Sequence, residues 1–131
     1  MSYGLRGVRV LILEDHEDSR LGYEALFSHQ GARVLGAASA EEALEQVAGF
    51  QPDVIVSDLS LPRVDGFAFI RTLRKWPAER GGRCPAVALS GLGPGERASA
   101  LADGYQAFVV KPADPQHLVS LMSELVRRES H

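Results

Sequence analysis

Asp58 stands just after the apolar run Val54-Ile55-Val56 and heads the segment Asp58-Leu59-Ser60-Leu61-Pro62-Arg63-Val64-Asp65-Gly66. Other apolar runs stop equally abruptly on polar residues. Val8 to Leu13 ends at Glu14-Asp15, Ala86 to Leu89 at Ser90, and Phe108 to Val110 at Lys111-Pro112. If these runs are parallel strands, their C-terminal ends share one edge of one sheet, and carboxylates, a hydroxyl and a lysine converge there. Three carboxylates at one edge repel one another and are destabilised or partly protonated unless a cation neutralises them. Oxygen-only ligands suit a hard divalent ion that keeps several waters, which points to Mg2+. Such a pocket suits an aspartate that accepts a phosphoryl group, because that transfer needs positioning and charge neutralisation. Ser90 supplies a hydroxyl donor for a phosphoryl oxygen.

The elements that must position these residues alternate along the chain. Strands are expected at Val8–Leu13, Arg33–Ala37, Val54–Ser57, Ala86–Leu89 and Ala107–Val110. Between them lie amphipathic stretches. Glu17–Gln30 places Leu21, Gly22, Ala25, Leu26 and His29 on one helical face, with Gly31 at the C-cap. Ser39-Ala40-Glu41-Glu42 is a capping box opening a helix with the face Ala40, Ala43, Leu44, Val47 and Ala48. A third helix runs from Gly66 to about Trp76, with Ile70 and Leu73 inward and Pro77 stopping it. Gly91-Leu92-Gly93-Pro94-Gly95 leads into a short Ala-rich helix, and Asp114 with Pro115 opens the last one, whose inner stripe is Leu118, Leu121, Met122 and Leu125. Alternation of this kind predicts a parallel sheet covered on both faces, with ligands bound outside the strand C-termini.

The 131 residues argue for one domain. A net charge of −3 gives no case for nucleic acid or an anionic membrane. The basic residues Arg71, Arg74, Lys75, Arg80 and Arg83 read as a solvated helix face and loop. No apolar stretch approaches the roughly 20 residues needed to cross a bilayer, and the first residues carry no signal-peptide core. Cys84 is the single cysteine, which excludes an internal disulfide and predicts a buried or half-buried filler. A cytoplasmic location is expected. His16 reads as a solvent-facing loop histidine, and Trp76 and Tyr105 as packing at the edge of the core. There is no GxGxxG or GxxxxGK[ST] segment to support a nucleotide cofactor.

Glu14-Asp15, Asp58 with Leu61-Pro62 and Asp65-Gly66, Ser90, and Lys111-Pro112, in this order and each at a strand end, resemble the receiver domain of two-component response regulators, the CheY-like superfamily. The resemblance covers essentially the whole chain, with a core of about residues 8–126. It implies a single-domain, doubly wound (βα)5 flavodoxin-like α/β fold, with five parallel strands in the order 2-1-3-4-5. It further implies a signalling phosphoacceptor and not an enzyme, beyond self-catalysed phosphotransfer and autodephosphorylation. Asp58 would take the phosphoryl group from a phosphohistidine on a sensor histidine kinase or phosphotransfer protein. Asp15 and Asp58 would bind Mg2+ directly, Ser60 through its backbone carbonyl, and Glu14 largely through water. Lys111 would pair with Asp58 before transfer and with phosphate afterwards, with a cis peptide to Pro112. Ser90 and Phe108 would form the switch, altering the face made by the fourth helix, fifth strand and fifth helix for an unidentified downstream protein.

Two positions depart from the chemotaxis type. Ser60 replaces an amide side chain two residues after Asp58, and Leu92 replaces an acid two residues after Ser90. Leucine cannot orient a hydrolytic water, which predicts slower dephosphorylation than in the chemotaxis type. An aspartyl-phosphate phosphatase of the haloacid-dehalogenase type would need a second Asp where Ser60 stands, and a cap domain. A phosphate-independent interaction module predicts loss of the acids or the lysine, and all are kept. No output domain is expected within residues 1–131. A free-standing protein and a receiver from a larger regulator or hybrid kinase both fit.

Overall fold

The structure, a computed structural model, describes residues 4–59 and 66–129. Its elements in chain order are β1 (Arg9–Leu13), α1 (Glu17–His29), β2 (Arg33–Ala37), α2 (Ala40–Phe50), β3 (Val54–Asp58), α3 (Gly66–Leu73), β4 (Ala86–Ser90), α4 (Arg97–Asp103), β5 (Ala107–Val110) and α5 (Pro115–Glu129). Short 3-10 turns at Ala78–Arg80 and Pro94–Glu96 precede β4 and α4. The strands form one parallel sheet in the order β2-β1-β3-β4-β5, the flavodoxin-like arrangement. β3 and β4 are buried at every position, as strands covered on both faces must be, whereas the edge strand β2 is only partly buried.

The strand period of two divides the core into two layers. Leu11, Leu13, Ile55, Ala86, Ala88 and Phe108 face one side, where they pack with Val47, Phe69, Ile70 and Leu73 from α2 and α3. Val10, Ile12, Val54, Val56, Val87 and Leu89 face the other, against Phe27 of α1 and Leu118 and Met122 of α5. Full burial of each Val, Leu, Ile, Phe or Met side chain among these contributes roughly 1.5–3 kcal/mol. The α5 stripe is the expected one, with Leu118, Met122 and Leu125 buried and Leu121 partly so. Cys84 is a buried filler whose thiol donates to the Pro52 carbonyl at 3.3 Å. No helix among the described residues is long and apolar enough to cross a membrane.

The caps follow sequence with one variation. Ser39 Oγ accepts from the Glu42 amide at 3.1 Å, as a capping box requires, but Glu42 reaches past Ser39 to the Ala38 amide at 2.6 Å. α3 ends at Leu73, three residues before the expected Trp76, and Ala48 on α2 is exposed. α1 is rotated from the expected face. Leu21, Gly22, Ala25 and His29 are exposed, and Tyr23, Leu26 and Phe27 point inward. On the neighbouring β2 the missing side chain of Gly36 makes room for Arg20 and Glu24; a Cβ there would sit 2.2 Å from Glu24 Oε2 and 2.9 Å from Arg20 Cδ. Arg20 lays its stem in this space and donates to the Glu14 carbonyl at 2.9 Å.

Candidate phosphoacceptor site

The sheet brings the C-terminal ends of β1, β3, β4 and β5 together, and with them Glu14, Asp58, Ser90 and Lys111. In the ladder Leu13 lies beside Ser57, Asp58 beside Leu89, and Ser90 beside Val110. The backbone beyond each strand remains pinned. Glu14 donates its amide to Ala37, Leu59 to Leu89 at 2.7 Å, and Lys111 to Ser90 at 2.8 Å. The side chains at this edge therefore have little freedom in where they start.

Lys111 Nζ donates to Asp58 Oδ2 at 2.5 Å. Asp58 is 1% exposed and the lysine side chain 25% exposed. Burial works against the lysine's charge, but the hydrogen bond to Asp58 and the nearby acids outweigh it, so its pKa lies above the ordinary lysine value. Glu14 is also 1% exposed. Burial first, and then the adjacent Asp58 carboxylate, push its pKa up from 4.5 to about 8, against the opposing pull of the His16 amide and Lys111. Its Oε2 accepts from that amide at 2.9 Å, while Oε1 is buried with no hydrogen-bond partner. Asp15 Oδ1 is likewise buried and without a partner.

Two orphaned carboxylate oxygens beside a third buried carboxylate are what a hard cation would satisfy, so the residues present fit Mg2+. Among the described residues no group of three or more His, Cys, Asp or Glu side chains is gathered as a metal cage. Ser60, expected to lend its carbonyl, and Leu61-Pro62 and Asp65 lie outside the described residues.

Other expected residues are placed as follows. Ser90 is fully buried. Phe108 is 7% exposed and packs with the α2–α3 side of the core, so its ring already points inward. Lys111–Pro112 is cis. His16 is exposed and caps α1, its Nδ1 accepting from the Ser19 amide at 3.3 Å. Leu92 is 70% exposed.

Sequence reasoning missed three features. Tyr105 is buried beyond edge packing, and its hydroxyl donates to the Gly66 carbonyl at 2.8 Å. Gly66 is tightly packed: a Cβ would lie 2.3 Å from Leu59 Cδ2 and 2.9 Å from Ser57 Oγ, so a larger residue would have to push these side chains aside. Glu96 reaches the Ser90 hydroxyl, and nothing in the Gly-rich run before it signals that contact. The motif Asp65-Gly66 was the only sequence sign of the first two.

The sequence pattern of the response regulator receiver domain matches residues 10–123. A 14.6 kDa protein from the sodA1 3′ region of Leptolyngbya boryana is 34% identical over 116 residues, covering 88% of this chain and 87% of that one. The KDP operon transcriptional regulatory protein KdpE of Escherichia coli is 33% identical over 92% of this chain, which spans only 52% of that relative. The Regulator of RpoS of the same organism is 32% identical over 86% of this chain, which spans 32% of its length. Among solved structures, the receiver domain of a sensor histidine kinase from Pseudomonas aeruginosa, with magnesium coordinated in its active-site cleft, superposes with a TM-score of 0.81 at 27% identity over 92% of this chain and 98% of that one. The chemotaxis response regulator CheY4 of Vibrio cholerae gives 0.79 at 26% identity over 91% and 98%. On sequence pattern, fold and strand-edge residues together, this chain belongs to the receiver domain family of two-component signalling.

Proposed function

We propose that this chain receives a phosphoryl group on Asp58 from the phosphohistidine of a sensor histidine kinase or phosphotransfer protein, in a Mg2+-dependent reaction. The observation that carries this reading is the buried Asp58–Lys111 ion pair beside the partnerless oxygens of Glu14 and Asp15. An Asp58 carboxylate oxygen attacks phosphorus, the phosphorus–nitrogen bond breaks, and the electron pair leaves on the imidazole nitrogen. Bound Mg2+ supplies charge neutralisation for the phosphoryl oxygens. Asp15 and Asp58 would hold it, with the Ser60 carbonyl, and Glu14 would act through water.

Lys111 orients Asp58 before transfer and then passes to a phosphoryl oxygen. Ser90 donates its hydroxyl to another. Movement of Ser90 and the packing of Phe108 then alter the face of α4, β5 and α5, which a downstream protein reads. The core of about residues 8–126 acts as one receiver unit. A cytoplasmic setting is part of this reading. The exposed Leu92 offers no group to hold a hydrolytic water, so the acyl phosphate is long-lived.

Incubation with acetyl phosphate and Mg2+, followed by intact mass, tests the reading. Wild type gains one phosphoryl group and Asp58→Ala gains none. A wild type that takes up no phosphate would support a phosphate-independent interaction module instead.

A further inference from the structure

The Ser90 hydroxyl is occupied in this structure. Its oxygen accepts from the Leu92 amide at 3.2 Å, and it donates to Glu96 Oε1 at 3.4 Å. A hydroxyl has one hydrogen to give. While Ser90 gives it to Glu96, it cannot give it to a phosphoryl oxygen on Asp58. The next residue, Arg97, donates through Nη1 to the Phe108 carbonyl at 3.5 Å. Two consecutive residues where the Pro94–Glu96 turn meets α4 thus reach both positions assigned to the switch.

Both contacts are long for hydrogen bonds and therefore weak. The other end of α4 is tied firmly. Arg71 Nη1 meets Asp103 Oδ2 at 2.7 Å, Arg74 Nε donates to the Gly104 carbonyl at 2.9 Å, and Tyr105 holds the Gly66 carbonyl. Release is thus easiest at the N-terminal end of α4, where Glu96 sits. A second place for the Glu96 carboxylate is at hand. Glu96 lines a cleft of about 420 Å3 between α3 and α4 together with Arg71, whose side chain is 52% exposed and can serve as a counter-charge.

We propose that Glu96 is a positioning residue that holds the Ser90 hydroxyl at rest and competes with a phosphoryl group on Asp58 for its proton. Glu96 thereby sets how strongly the domain resists switching. This rests on the phosphoacceptor reading of Asp58. No bond to phosphorus changes in this step; one hydroxyl proton moves its hydrogen bond from a carboxylate to a phosphoryl oxygen.

Beryllofluoride with Mg2+ serves as a stable stand-in for the aspartyl phosphate. Glu96→Ala is expected to tighten beryllofluoride binding about three- to tenfold. Glu96→Gln, which keeps the shape but not the charge, shifts it in the same direction by less. In a Ser90→Ala background neither substitution has an effect, because the competition needs the hydroxyl. A general loosening of the turn would act equally with and without that hydroxyl. Equal effects in the two backgrounds, or no effect in either, with wild type binding beryllofluoride normally, would overturn the role of Glu96 alone. Wild type failing to bind beryllofluoride at all would overturn the phosphoacceptor reading and this competition with it.

Discussion

The two edges of the sheet use polar residues in opposite ways. At the N-terminal edge every polar group named here has found a partner. The Arg9 amide donates to Asp53 Oδ2 at 2.8 Å, and the Ala86 amide to Gln106 Oε1 at 2.7 Å. Arg74 closes the same end by donating to the Gly104 and Gly82 carbonyls and to Gln106, each at 2.9 Å. At the C-terminal edge, Glu14 and Asp15 keep buried oxygens without partners, and Asp58 sits beside Glu14 and pairs with Lys111. Satisfied polar groups stabilise a fold, while buried unsatisfied ones cost stability until water, an ion or a ligand meets them. The difference separates an edge that holds the domain together from an edge kept under electrostatic strain.

Substitutions at the two edges should therefore fail in different ways. The largest effect is expected from Asp58→Asn, which abolishes phosphoryl uptake measured by intact mass. The same change leaves thermal stability close to wild type, because asparagine keeps the shape and still accepts from Lys111 Nζ. A loss of stability as large as that of a core deletion would break the comparison. Arg74→Ala should do the reverse. It removes three hydrogen bonds, two of them to backbone carbonyls, and should lower stability by about 2–3 kcal/mol in urea unfolding. Its initial rate of uptake from acetyl phosphate should match wild type.

A smaller effect is expected from pH. Glu14 titrates at 4.5 when unfolded and at about 8 when folded. Between these values the folded state holds more protons, so stability falls as pH rises. The contribution is fully present below about pH 4.5 and is lost as pH passes through about 8. In thermal melts without divalent cation, the midpoint should drop across this window, and Glu14→Gln should flatten the curve. Added Mg2+ should recover the loss at the alkaline end, since a cation takes the place of the proton. A midpoint that rises with pH in the metal-free protein would contradict the strain assigned to this edge. The smallest effect is at Leu92. Leu92→Glu should speed loss of the acyl phosphate severalfold in a phosphate-release time course, and an unchanged rate would remove Leu92 from the account of its lifetime.

Much of the site was legible before any coordinates. Each functional residue follows an apolar, β-branched run, and a parallel sheet leaves no choice about which edge such residues reach. Asp58, Lys111, Ser90 and Glu14 meet there for that reason. The inward face of α1 was misread because Leu21 and Ala25 look as apolar as Tyr23 and Phe27, and the packing of α1 on the sheet, a tertiary contact, separates them. The Glu96–Ser90 contact was illegible for a different reason. It crosses a turn with glycines at 91, 93 and 95, whose backbone freedom leaves side-chain direction undefined by local sequence.

The sequence by itself determined the five-strand alternation, the strand edge at which the polar residues gather, and which residues gather there. Periodicity and strand-end position are local properties, and handed connections turn them into a shared edge. Only the tertiary structure decided the electrostatics of that edge. That Glu14 holds its proton to about pH 8, that Asp58 is already paired, and that the Ser90 hydrogen is already spent on Glu96 all depend on burial and on distances between strands far apart in the chain. Those quantities are set by packing, and no single segment contains them.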